Sequence, residues 1–142
     1  MLGLFAELNE LQASWRVFPT RPGVAEEMQV RYRAALADPG ARLLVAADGG
    51  QLVGMALGQI HRPSSYSDEL AVELSSVIVH ALYRGRGVGA ALTAAIGRFA
   101  RERGIERVTL KTFARNEEAL RFWESLGFEA RIVQMTARSD LL

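Results

Sequence analysis

Cysteine is absent from the 142 residues. That removes a disulfide framework, a thiolate nucleophile and thiolate metal sites together. Histidine is scarce: His61 and His80 are the only imidazoles, little material for zinc binding or for a catalytic triad. No apolar run has the length of a membrane span, and the opening residues carry no signal-peptide pattern. An excess of either charge is missing too. With 17 Lys and Arg against 16 Asp and Glu, the formal net charge is +1, so no electrostatic case exists for bulk nucleic-acid binding. Lysine itself is nearly missing, because every cation except Lys111 is an arginine. The expectation is a small cytoplasmic domain that needs no metal and engages neither membrane nor nucleic acid.

What is present is core material. Apolar residues make up 49% of the chain, and the length suits one domain over residues 1–142. Leu4, Leu8, Leu11 and Trp15 recur at helical spacing, and "RVFPTRPG" breaks that helix with two prolines and a glycine. A second helix is expected from Val24 to Ala37, with Val24, Met28, Tyr32 and Ala35 on one face. "ARLLVAADGGQLVGMALGQI" reads as two strands around a turn at Asp48, Gly49 and Gly50. After a polar loop, "LAVELSSVIV" reads as a buried strand. The clearest amphipathic helix covers Val88 to Arg103, with Val88, Ala91, Leu92, Ala95, Ile96 and Phe99 in one stripe. "RVTLKTF" resumes a strand, and "RNEEALRFWESLG" forms a helix capped by Asn116 and closed by Gly127. "FEARIVQMTAR" is expected to end the domain as a strand or a pair of short strands. The fold class is α/β, a mixed sheet flanked by helices, antiparallel in its hairpin and parallel across its strand–helix–strand unit.

Between the buried strand and the clearest helix stands "YRGRGVG", residues 83–89. A turn at that place exposes free N–H groups at the positive end of the helix. Glycines at 85, 87 and 89 would let a phosphate approach, with Arg84 and Arg86 adding charge. A P-loop is excluded, because Ala90 and Ala91 stand where its lysine and hydroxyl residue belong. A G-x-G-x-x-A dinucleotide fingerprint is present at Gly85, Gly87 and Ala90. Its confirming ribose-binding acid is missing, since the next strand ends in Lys111, Thr112 and Phe113.

The segment resembles the acetyl-coenzyme A motif of the GNAT superfamily, the Gcn5-related N-acetyltransferases. The motif's Gln or Arg, first Gly, and final Gly or Ala fall on Arg84, Gly87 and Gly89. "VELSSVIVHALYRGRGVGAALT" is similar to that family's fourth strand and following helix, and "NEEALRFWESLGF" to its later helix. Relatives usually begin with a short strand before the first helix, and here that strand is apparently missing.

The resemblance implies an acetyl-coenzyme A-dependent N-acetyltransferase with direct transfer in a ternary complex. It places the pyrophosphate on the backbone of Arg84, Gly85, Arg86, Gly87, Val88, Gly89 and Ala90. The pantetheine arm would lie along Val77, Ile78 and Val79, with Asn116 hydrogen-bonded to the cofactor or simply capping its helix. An attacking amine must lose a proton. Glu73, eleven residues before Arg84, occupies the family's general-base position, where burial would make it a better proton acceptor near neutrality. The Val77 amide is the expected donor to the thioester oxygen. Trp123 stands where many relatives place an acidic tyrosine, and an indole is no useful acid. Tyr66, Tyr83, Ser75 or water are the substitutes. The acceptor, a small-molecule or peptide amine, is expected near Trp15, Arg16, Phe18, Arg21, Tyr66, Asp68 and Glu69. A homodimer is expected only because dimers are common in the superfamily. The competing class is a non-catalytic coenzyme A-binding sensor or interaction module.

Overall fold

The computed structural model describes Gly3, Ala6, Glu7, Glu10 and residues 20–142. The amphipathic helix expected around Leu4 to Trp15 falls largely outside the described residues. Helix α1 spans Val24–Ala37 and leads through Asp38 into a hairpin of β1 (Ala41–Asp48) and β2 (Gln51–His61). Strand β3 (Ala71–Val79) passes through a single 3-10 turn and the glycine-rich loop into α2 (Val88–Glu102). Strand β4 (Arg107–Leu110) and α3 (Glu117–Ser125) follow. The sheet order is β1-β2-β3-β4. The first two pairings are antiparallel, and β3 pairs with β4 in parallel. This is the mixed sheet expected from the sequence, closed into one domain by helices on both faces.

Each face has its own core. On one, Leu92, Ile96, Phe99 and Ala100 of α2 bury against Ala56, Val72 and Leu74, with Ile105 at the end. On the other, Tyr32 and Ala35 of α1 close over Met55, Leu57 and Ile78. Each large side chain sealed this way contributes on the order of 1.5–3 kcal/mol. The α2 contact depends on Gly58. A Cβ there would lie 2.9 Å from Ile96 Cγ2 and 3.0 Å from Val72 Cγ1, so the helix could not seat at its present depth.

The ends of the helices follow local chemistry. Asn116 Oδ1 accepts the Ala119 amide at 3.1 Å and caps α3, whose first turn carries Glu117 and Glu118. Gly127, at φ 92°, ends the same helix as expected. Two expectations fail. Strand β4 stops at Leu110 rather than running to Phe113. Residues 128–138 form no strand, and Ile132, Val133 and Met135 are exposed. Strand propensity there rested on β-branched and apolar residues, but a strand also needs a ladder to join. The segment instead makes local ion pairs, Arg131 with Glu129 and Arg138 with Asp140.

Gly58→Ala is expected to cost about 1–3 kcal/mol by overpacking against Ile96. Denaturant titration checks this, and an unchanged stability would show that Ile96 and Val72 give way to the added methyl.

Candidate functional site

Strand β3 is held by β2 along most of its length, from Ala71 opposite His61 to Val79 opposite Gly54. Its pairing with β4 lasts four residues, from Ala71–Arg107 to Leu74–Leu110. At that level the β2–β3 register shifts: Leu57 pairs Ser76 and Gly58 pairs Leu74, leaving Ser75 as an inserted residue. Such a bulge bends its strand and increases its local twist. Past it, residues 75–79 have no strand on the β4 side among the described residues, so that edge of β3 carries no ladder. Val77 and Val79 are partly buried and Ile78 is buried, so their backbone is firmly held along that open side.

Beyond Val79 lies the glycine-rich loop. Gly85 and Gly87 have φ of 72° and 82°, left-handed values that residues with a Cβ adopt at a cost. Gly87 is also the N-cap residue of α2, without a side-chain cap. The first-turn amides are thus left for a ligand or for water. Gly89 has a packing reason as well: a Cβ would lie 3.2 Å from the Phe122 ring. Arg84 is turned back into the protein. Its Nε donates to Val79 O at 3.1 Å, and its terminal nitrogen pairs with the Glu7 carboxylate at 3.3 Å. That carboxylate also accepts the Ala81 amide at 3.0 Å. Arg86 is exposed and lies over the Tyr83 ring at 5.3 Å. The Tyr83 hydroxyl donates to Asp48 Oδ2 at 2.9 Å, a bond that raises its pKa. Of the two loop arginines, Arg86 is the one whose charge is available to an anion.

A polar row occupies the α1 side of the sheet where β3 and β4 are paired. Glu73 was expected to be buried in its strand. It lies instead with Gln59 opposite on β2 and Thr109 opposite on β4. Its side chain is 28% exposed, and its Oε1 is 3.7 Å from Lys111 Nζ. His61 Nε2 and Thr109 Oγ1 are 3.0 Å apart, a bridge from β2 to β4 that crosses the buried Ala71. Arg31 donates to Gln59 Oε1 at 2.8 Å. Tyr32 is buried with its hydroxyl making no hydrogen bond of good geometry. Burial pushes its phenol up, partly offset by the neighbouring Ser76 hydroxyl and the Arg31 charge.

Other expected residues are distributed differently. Asn116 caps α3, and its side-chain amide nitrogen keeps donor capacity. Trp123 is packed against Phe122 and Phe128 at ring distances of 4.7 and 5.5 Å, so it acts as core. Tyr66 is fully exposed on the loop before β3. Asp68 pairs with Arg62, Glu69 with Arg107, and Arg21 with Glu27, so these charges already have partners. Ser75 Oγ donates to Leu57 O at 3.3 Å. Trp15, Arg16 and Phe18 lie outside the described residues. Sequence reasoning passed over Glu7, His61, Thr109 and Tyr32 as site components. Their contacts cross between elements and leave no spacing signal. Lys111 did carry one, as the single lysine of the chain.

A glycine-rich loop at a helix N-terminus, following a strand that pairs in parallel with the next one, is the arrangement the sequence resemblance called for. The model of the Acetyltransferase (GNAT) family matches residues 7–128. The chain belongs to this family. Mycothiol acetyltransferase of Thermobispora bispora is 33% identical over 134 residues, which are 94% of this chain and 42% of that protein. An uncharacterised N-acetyltransferase of Mycobacterium bovis is 31% identical over 136 residues, 87% of this chain and 83% of that one. An aminoglycoside N-acetyltransferase solved with coenzyme A shares this GNAT fold, with a TM-score of 0.74 at 22% identity over 97% of this chain and 88% of that one. The chain spans about two fifths of the length of the mycothiol acetyltransferase it matches. Among the described residues no helix is long and apolar enough to cross a membrane.

Tyr32→Phe is expected to leave stability unchanged or raise it by up to ~1 kcal/mol, because the hydroxyl it deletes is buried without a good partner. A loss above that size on chemical denaturation would show that the hydroxyl is bonded in solution.

Proposed function

We propose that this GNAT domain transfers an acetyl group from acetyl-coenzyme A to a primary amine of a small molecule, directly and within a ternary complex. The observation that carries the reading is the end of the β3–β4 pairing at Leu74 and Leu110. It puts an unpaired strand edge between an anion-binding loop at one end and a carboxylate at the other. The small-molecule class is supported by the relatives, one named for mycothiol and one for aminoglycosides.

The pyrophosphate sits on the amides of residues 84–90, where the positive end of α2 and Arg86 favour negative charge. The pantetheine arm lies along Val77, Ile78 and Val79 as an added strand would, its amides meeting backbone groups that β4 leaves free. Asn116 offers its amide nitrogen from the start of α3. The acceptor enters on the α1 side and brings its ammonium to Glu73, which takes the proton that blocks attack. As the amine adds to the thioester carbon, charge builds on the carbonyl oxygen, and the Val77 amide is the donor held ready for it. The carbon–sulfur bond then breaks. A free thiol has a pKa near ~8.5, so the coenzyme leaves as thiolate without a dedicated acid. With Trp123 packed in the core and the Tyr83 hydroxyl bound to Asp48, water suffices for that proton.

Thermal unfolding should rise with acetyl-coenzyme A and coenzyme A, by about 2.7 kcal/mol in stability at a hundredfold excess over Kd, and not with NAD or ATP. Arg86→Glu should weaken coenzyme A by roughly tenfold with the melting temperature of the free protein kept. Glu73→Gln should lower turnover by about 10²–10⁴ while coenzyme affinity stays close to that of the parent. Binding without thiol release from any amine would make the domain a coenzyme A sensor instead.

A further inference from the structure

The single lysine of this chain stands where the pairing of β3 with β4 ends. Lys111 is the first residue past Leu110, the last β4 residue paired with β3. Its Nζ is 3.7 Å from Glu73 Oε1, and its side chain is 92% exposed. An ion pair this exposed is weak and holds the side chain only loosely. The remaining 16 of the 17 cations are arginines, whose guanidinium stays protonated and serves poorly as an acyl acceptor. At the one position beside the carboxylate that would deprotonate an acceptor, the chain therefore carries its one primary-amine side chain. We infer that Lys111 is a self-acetylation site.

The inference rests on the acetyltransferase reading and extends it to an acceptor within the chain. Glu73 takes one proton from the Lys111 ammonium. The free amine attacks the acetyl carbon, the new carbon–nitrogen bond forms, and the carbon–sulfur bond breaks. The second proton leaves the nitrogen as the adduct collapses and ends on the coenzyme sulfur. The products are Nε-acetyl-Lys111 and coenzyme A, and Glu73 returns its proton to water. The acetylated side chain has no charge to offer Glu73. The carboxylate is then released to the ammonium of an external acceptor, for which unmodified Lys111 is a stand-in.

The test is intact-mass spectrometry of the full chain after incubation with acetyl-coenzyme A and no added amine, with peptide mapping of the product. One addition of about 42 Da is expected, located at Lys111. It should be absent in Lys111→Arg and about a hundredfold slower in Glu73→Gln, with a rate per molecule independent of protein concentration. Equal labelling of Glu73→Gln and the parent would show spontaneous chemistry and overturn the inference. So would label confined to the N-terminal amine. Coenzyme A binding is followed in parallel by thermal unfolding. Binding without label overturns self-acetylation and leaves the acetyltransferase reading standing, whereas no binding removes both.

Discussion

The bulge at Ser75 is the constraint on which the site depends. Without an inserted residue between Leu74 and Ser76, β3 would continue flat, and a parallel neighbour could follow it to Val79. With it, β3 stays registered to β2 on both sides of the irregularity while its direction changes. The β4 ladder ends at the same level. A parallel sheet interior is normally closed on both edges of every strand. Here, among the described residues, five residues of β3 have no strand on one edge. Their side chains meanwhile remain anchored, Ile78 in the core beneath α1 and Val77 against the core beneath α2. An edge that is exposed yet rigid is a suitable template for an extended ligand, because little ordering remains to be done on binding.

The charges around this edge are divided by position. Near the loop, Arg84 is already neutralised by Glu7 and tied to Val79 O, so it shapes the turn rather than supplying net attraction. Arg86 and the capless first turn of α2 remain to meet an anion. At the other end, Glu73 and Lys111 are paired on the surface, with Gln59, His61 and Thr109 around them. The exposed arginine with the free helix amides, and the carboxylate with its lysine, thus lie toward opposite ends of β3. Each can be altered without rebuilding the other.

The parts of this arrangement that were legible in the sequence are those with a local cause. The α1 boundaries, the hairpin turn, the Asn116 cap and the glycine loop all follow from residues within one element. Gly85 and Gly87 adopt positive φ, a conformation open to glycine whatever surrounds it. Gly89 also packs against Phe122, a contact from a helix far along the chain. Glu73 was legible as a carboxylate in a strand, but its neighbourhood was not. The polar row beside it comes from β2 and β4, which no periodicity connects. The strand expected over residues 128–138 erred in the opposite direction: local propensity was present, and the tertiary partner it requires was not.

The bridge between His61 and Thr109 joins the two neighbours of β3 across that strand. It acts as a rivet just below the level at which the β4 ladder ends. Around Glu73 the sheet is tied twice, by its backbone ladder and by this side-chain link, like tongs close to their pin. Toward Val79 the β4 side has neither tie among the described residues. On the proposed function, tolerance for a bulkier cofactor arm lies at the loop end, and selectivity for the group being acylated lies at the doubly tied base.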